Sequence, residues 1–97
     1  MNFEFHPDAK IELFHAIDYY ENCEPLLGYD FALEVRSTIQ NICDFPDAWP
    51  ILDESIRRCL TRRFPYGVIY SIESGKILIL AVMPLHRHPD YWKNHLS

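Results

Sequence analysis

Cysteine is sparse in this chain and poorly placed for chemistry. Cys23, Cys43 and Cys59 are odd in number, widely spaced and include no CxxC pair. That pattern argues against a disulfide framework and a cysteine zinc site, and leaves the three as small, partly buried hydrophobes. Long apolar runs are missing too: none approaches the roughly 20 residues that a membrane helix needs. The opening MNFEFHPDAK has no basic region followed by an apolar one. It does not read as a secretory signal, and a cytoplasmic protein with no membrane partner is expected. Internal repeats and low-complexity tracts are absent, which sets aside solenoids and disordered arrays. At 97 residues, 48% apolar and 24% charged, the composition suits one soluble domain and is too small for two cores.

What the chain does have is a division of charge. Residues 1–54 hold twelve acidic side chains against two bases, Lys10 and Arg36, while residues 55–97 hold seven bases against Glu73 and Asp90. The total of −5 conceals a basic C-terminal half. Such asymmetry points to a polyanionic or acidic partner met by one part of the surface. Arg57, Arg58, Arg62 and Arg63 fall within seven residues, on a segment that otherwise reads as a strand. That clustering favours a binding surface over a merely solvated face.

The hydrophobic period changes near the middle. Phe3 and Phe5 share a face, which predicts a short strand over Asn2–Phe5. Pro7 and Asp8 then suit the opening turn of a helix. Ala9, Leu13, Ala16, Ile17 and Tyr20 recur at helical spacing until about Asn22, ahead of Pro25. A second helix is predicted from Leu26 or Tyr29 to Asp44, buried through Phe31, Val35, Ile39 and Ile42, with Gly28 weakening its first turn. The short connector makes the two a hairpin. Pro46 and Pro50 end the helical half, and FPDAWPILDES reads as an irregular crossing with Trp49 at the edge of the core. Ile56–Arg62, Tyr66–Ile72 and Lys76–Met83 are rich in β-branched and aromatic residues and read as strands, with a tight turn at Ser74-Gly75. Ile77–Val82 is apolar on both faces, as a central strand is. LHRHPDYWKNHLS is left as a tail folded back on the sheet. The predicted class is α+β in the order β-α-α-β-β-β, a helical hairpin on one face of a mostly antiparallel four-stranded sheet.

Three stretches in this order resemble the RelE/ParE superfamily, the small toxins of bacterial type II toxin–antitoxin operons. They are the opening FEFHPDAKIELFHAIDYYE, the crossing ICDFPDAWP, and RRCLTRRFPYGVIYSIESGKILILAVMPLHRHPDYW. The last carries the arginine-rich strand, the F-P-Y step, the hairpin and the closing RHPDYW box. The resemblance implies a single-domain toxin, residues 1–97, held inactive by a co-encoded antitoxin that lays an extended or helical segment over it. RelE-like members cut messenger RNA in the ribosomal A site, whereas ParE-like members poison DNA gyrase. Fold alone does not choose between them. No cofactor is implied, and both a homodimer and a toxin–antitoxin hetero-oligomer are compatible.

Metal-free RNA cleavage needs a group to activate the ribose 2′-OH, a cation at the phosphorane and an acid for the leaving oxygen. His86, Arg62 and Tyr91 are the candidates for such catalysis, His86 resembling the general acid of nuclease members. Arg57, Arg58, Arg63, Arg87 and His88 are the candidates for binding target or antitoxin. If the strand is regular, Arg58 and Arg62 share one face with Ile56 and Leu60, while Arg57 and Arg63 share the other with Cys59 and Thr61. One departure weighs against cleavage: RelE-like nucleases usually place an arginine where PYGVIY has Gly67, and a glycine brings no charge to a phosphate.

A gyrase poison or a toxin of unknown target is the first reading, an mRNA endonuclease the second, and an attenuated toxin that only binds antitoxin the third. Rivals from other classes are a metal site at His86-x-His88 with Asp90 or His95, and a single-strand nucleic-acid binder using Phe64, Tyr66 and Tyr70. Ile11 and Phe14, off the main helical stripe, are candidates to face an antitoxin or a second copy. The toxin reading further expects the basic side chains of sheet and tail to converge on one solvent-facing patch.

Overall fold

The computed structural model describes residues 1–87 and Lys93. The elements run β1 (Phe3–Phe5), α1 (Pro7–Cys23), α2 (Leu27–Asp44), β2 (Ile51–Asp53), β3 (Ile56–Leu60), β4 (Tyr66–Glu73) and β5 (Lys76–Pro84). The strands form one five-stranded sheet in the order β1-β5-β4-β3-β2. Among the described strands only β1 and β5 run parallel; the helices carry the chain from β1 to β2 at the opposite edge, and the remaining neighbours are antiparallel.

His6 starts α1 with an extended backbone and accepts a hydrogen bond from Asp8 N at Nδ1, 3.1 Å, while Pro7 occupies the first turn. Three residues separate the helices, and Leu26, at φ 72°, offers no side-chain cap to α2. Glu21 supplies the cap from α1. Its two carboxylate oxygens accept from Leu26 N at 2.9 Å and Gly28 N at 3.1 Å, placing negative charge on the positive end of α2. Gly28 is the point where the helices touch: a Cβ there would stand 2.5 Å from the Ile17 carbonyl oxygen and 2.9 Å from Glu21 Cβ. Its weakness as a helix former is outweighed by that approach. Gly28→Ala is therefore expected to destabilise the chain by about 1–3 kcal/mol through overpacking, read as a lower urea midpoint with an unchanged m-value.

Both helices cover the same sheet face. Phe31, Val35, Ile39 and Ile42 of α2 and Ala9 and Ala16 of α1 bury against Cys59, Val68, Tyr70, Ile77, Ile79 and Val82. A bulge in β5 makes this lining possible. Ile69 pairs with Ala81 but Tyr70 with Ile79, so Leu80 is extra and the inward phase passes from Ile77 and Ile79 to Val82. Leu80, Ala81, Met83 and Ile69 instead form a smaller buried cluster on the far face, with Leu52, Ile56 and Leu78. The central place predicted for Ile77–Val82 is realised between β1 and β4.

The sheet has five strands where four were predicted. Ile51–Asp53, expected within an irregular crossing, turns at Glu54 (φ 49°) and pairs back on β3, with Ile51 opposite Arg57 and Asp53 opposite Ile56. Three residues are too few to display a period, so pairing rather than pattern makes this strand. β3 in turn ends at Leu60, not Arg62, because Thr61 leaves the ladder. The predicted tail beyond Arg87 lies outside the described residues, apart from Lys93, whose ammonium stands 3.1 Å from the Asp53 carboxylate.

Candidate functional site: the arginine-bearing end of the sheet

Alternation along β3 sends its two arginines to opposite faces. Arg57 points to the helix side with Cys59, where the core meets the crossing. Its guanidinium donates to the carbonyls of Asp47 (3.1 Å) and Trp49 (2.7 Å) and lies 3.7 Å from the Asp47 carboxylate. It is a strut for residues 45–50. Burial pushes the neighbouring Cys59 thiol up to about 11, so it stays protonated and is no nucleophile at neutral pH.

Arg58 takes the far face, opposite Ile69. Its aliphatic stem crosses Gly67: a Cβ built there would lie 3.0 Å from Arg58 Cδ and 3.2 Å from Cγ. The space that a side chain at 67 would fill is thus taken by Arg58 from the adjacent strand. Arg58 makes no ion pair with any described residue.

Arg62 and Arg63 do not continue the alternation. Thr61 folds the chain back, its hydroxyl donating to the Phe64 carbonyl at 2.6 Å and its N–H to the Tyr66 carbonyl at 3.0 Å. Glu34 of α2 then accepts from the backbone N–H groups of Arg63 (2.6 Å) and Phe64 (3.2 Å). The Arg63 guanidinium pairs with Asp30 at 3.6 Å and sits 5.4 Å from the centre of the Phe64 ring. Arg62 is exposed, forms no ion pair with a described residue, and borders a groove of about 690 Å³ between α2 and β3 with Leu33, Asn41 and Leu60.

Across the Pro65-Tyr66 step lies a second depression. Leu85 N donates to the Pro65 carbonyl at 2.8 Å and Arg87 N to the Pro84 carbonyl at 3.1 Å, turning the chain back beside α1. His86 and Arg87 there line a cleft of about 440 Å³ with Tyr19, Tyr20, Pro65 and Tyr66. Burial raises the Tyr66 phenol above its ordinary value, with the positive Arg87 opposing.

The sequence-predicted residues therefore divide among four places. Arg62 and Arg63 flank α2, His86 and Arg87 flank α1 at the same end of the sheet, Arg58 lies on the far face, and Arg57 is turned inward. The expected convergence on a single patch is not observed, because the loop at Thr61 breaks the strand and carboxylates and carbonyls of the acidic half engage Arg57 and Arg63. His88 and Tyr91 lie outside the described residues, so the His86-x-His88 metal reading does too in part. Among the described residues no group of three or more potential ligands gathers. Phe64 and Tyr70 are buried, unlike stacking residues for single strands, and Tyr66 is half-buried. The position that sequence reasoning passed over is Glu34. It reads as a solvated helix carboxylate, and only its contact with a loop some 30 residues away in sequence reveals its role.

A helical hairpin on one face of a mixed five-stranded sheet, with a basic loop at the end of β3, is a ParE-like fold. A family model for the ParE toxin of type II toxin–antitoxin systems, parDE, matches residues 3–91, and the chain belongs to that family. ParE toxins pair with a cognate ParD antitoxin. Among solved structures the chain is similar to one from the chromosomal ParDE toxin–antitoxin system of P. aeruginosa. The TM-score is 0.64 at 14% identity, over 89% of this chain and 97% of that one, a likeness of fold. No curated protein sequence matches the chain. No helix among the described residues is long and apolar enough to cross a membrane.

Proposed function

We propose that this ParE toxin acts in the cytoplasm by binding DNA gyrase as a protein ligand, not by cutting RNA, and that a cognate ParD antitoxin blocks it. The observation that carries this reading is the fate of the arginines around Gly67. Cleavage without a metal needs several cations aimed at one phosphate. Here Arg58 crosses the glycine on one face, Arg57 is held by carbonyls on the other, and Arg63 faces Asp30. Dispersed cations at a rim suit electrostatic docking on a large partner better than phosphoryl chemistry.

The test is direct. Purified toxin added to gyrase and plasmid is expected to inhibit supercoiling and trap cleaved DNA, and its induction in cells to raise the SOS response. A-site cleavage of messenger RNA without DNA breaks would overturn the reading and favour the nuclease, with Arg62, His86 and Arg87 at its centre. Arg62→Glu is expected to weaken gyrase inhibition by about tenfold, the effect of one well-placed rim charge, at an unchanged urea midpoint. Arg63→Glu is the poorer probe, because it sets a new carboxylate beside Asp30.

A further inference from the structure

We infer that the outer stripe of α1 pairs with the same stripe of a second copy of this chain, the two helices lying antiparallel about Phe14. Helical spacing puts Lys10, Ile11, Phe14 and Asp18 on one face of α1, within an arc of about 100°. Ala9, Leu13, Ala16, Ile17 and Tyr20 turn toward the core. The stripe is apolar where solvent reaches it: Ile11 is 53% exposed and Phe14 52%. His15 and Tyr19 lie off it and line a cleft with Tyr66 and Arg87. Ile11 and Phe14 thus serve neither the core nor the arginine-bearing end of the sheet.

What selects the occupant is the charge left over on this helix. Asp8 stands 4.0 Å from His6 at the opening turn. Glu12 accepts from Val82 N at 3.0 Å, and Glu21 accepts from Leu26 N and Gly28 N. Lys10 and Asp18 remain. Both are exposed, and neither side chain forms an ion pair or hydrogen bond with a described residue. They carry opposite signs and stand four residues either side of Phe14, about 12 Å apart along the helix axis. That separation keeps them from pairing within one chain. A copy related by a twofold axis through Phe14 sets each Lys10 against the partner's Asp18 and brings the two Phe14 rings together. An isologous contact uses one patch twice, so a single helix supplies both halves of the match.

Other occupants fit less well. Residues 7–23 hold four acids against one base, Lys10, the wrong balance for an anionic membrane or a nucleic acid. A stripe of two apolar and two charged side chains is small for a protein interface, so association is weak, with a Kd on the order of 100 µM. The arginine loop stays free in this dimer. Asp30 and Glu34, which hold that loop, leave α2 on the side away from Gly28, the residue that touches α1. One dimer therefore presents the arginine-bearing end twice.

The experiment is sedimentation equilibrium of the full chain from about 5 µM to about 500 µM. Wild-type toxin is expected to pass from monomer toward dimer across that range. Lys10→Glu and Asp18→Lys are each expected to weaken the dimer at least tenfold, because symmetry places two like-charged pairs in every contact. At the lowest concentration their circular dichroism and urea midpoints are expected to match wild type, since both positions face solvent. Mixing the two variants restores both ion pairs. A heterodimer of about wild-type affinity is then expected from two chains that each pair poorly with themselves. A wild-type chain still monomeric at about 500 µM would overturn the inference, as would a dimer that both charge variants form equally well. Failure of the mixture to associate would overturn the antiparallel register about Phe14. A fall in affinity for ParD in both variants, with no change in self-association, would give the stripe to the antitoxin and sink the dimer.

Discussion

Replacing Phe31 with alanine is expected to remove about 3–5 kcal/mol of folding free energy, the cost of emptying a large buried aromatic site. Phe31 has no exposed surface and stands where four parts of the chain meet. Its ring centre lies 5.0 Å from that of Tyr20 on α1, 5.1 Å from Phe64 in the arginine loop and 4.8 Å from Tyr66 at the start of β4. The pairs with Phe64 and Tyr66 are edge-to-face, and such pairs add about 0.5–1.5 kcal/mol each beyond burial. A domain of this length holds only about 5–15 kcal/mol in total. The variant is expected to melt at least ~10 °C lower, followed by thermal circular dichroism and repeated in urea. Phe31→Leu, which keeps most of the volume, should recover more than half of the loss. A loss below about 1 kcal/mol for the alanine variant would mean that the aromatic cluster does not tie the helices to the loop.

The same cluster explains which parts of the molecule could be read from sequence. The helices were legible because Phe31, Val35, Ile39 and Ile42 repeat at helical spacing and fill one core. The hairpin at Ser74-Gly75 was legible because both residues adopt positive φ, 52° and 77°, in a turn chemistry visible in the dipeptide itself. β2 was not legible, since it exists only by pairing with β3. Gly28 read as a weakness in the first turn of α2 and is also a contact point, because propensity carries no information about a neighbouring helix.

For the candidate site the limits were sharper. Alternation placed Arg57 and Arg58 on opposite faces, as observed, and then failed at Arg62 and Arg63. What ends the strand is the Thr61 hydroxyl on the Phe64 carbonyl together with Glu34 on two backbone N–H groups. The second of these is non-local, so no window along the sequence contains it. The charge count of the acidic half likewise says nothing of which carboxylates meet backbone. Several of its carboxylates act as caps: Glu21 on α2, Glu34 on the loop, and Glu12 on Val82 N at 3.0 Å, where β5 runs beyond the end of β1.

Arg57 supplies the second large expected effect, and it separates a structural arginine from a binding one. Arg57→Ala is expected to cost about 1–3 kcal/mol, because two charge-assisted hydrogen bonds are lost, an exposed one to the Asp47 carbonyl and a part-buried one to the Trp49 carbonyl. The ion pair contributes little to that figure. The Asp47 side chain is 82% exposed, and a pair so open to solvent is screened. Tyr70 fastens the same crossing by donating its hydroxyl to the Pro46 carbonyl, and burial pushes that phenol up to about 12. Arg57→Ala and Tyr70→Phe should therefore combine to less than the sum of their separate losses, since either alone frees the segment both restrain. In the folded fraction of Arg57→Ala, affinity for ParD and inhibition of gyrase are expected to stay within about twofold of wild type, since the guanidinium is engaged by the carbonyls of Asp47 and Trp49. Undiminished stability with binding reduced by tenfold or more would reverse the assignment and return Arg57 to the docking surface.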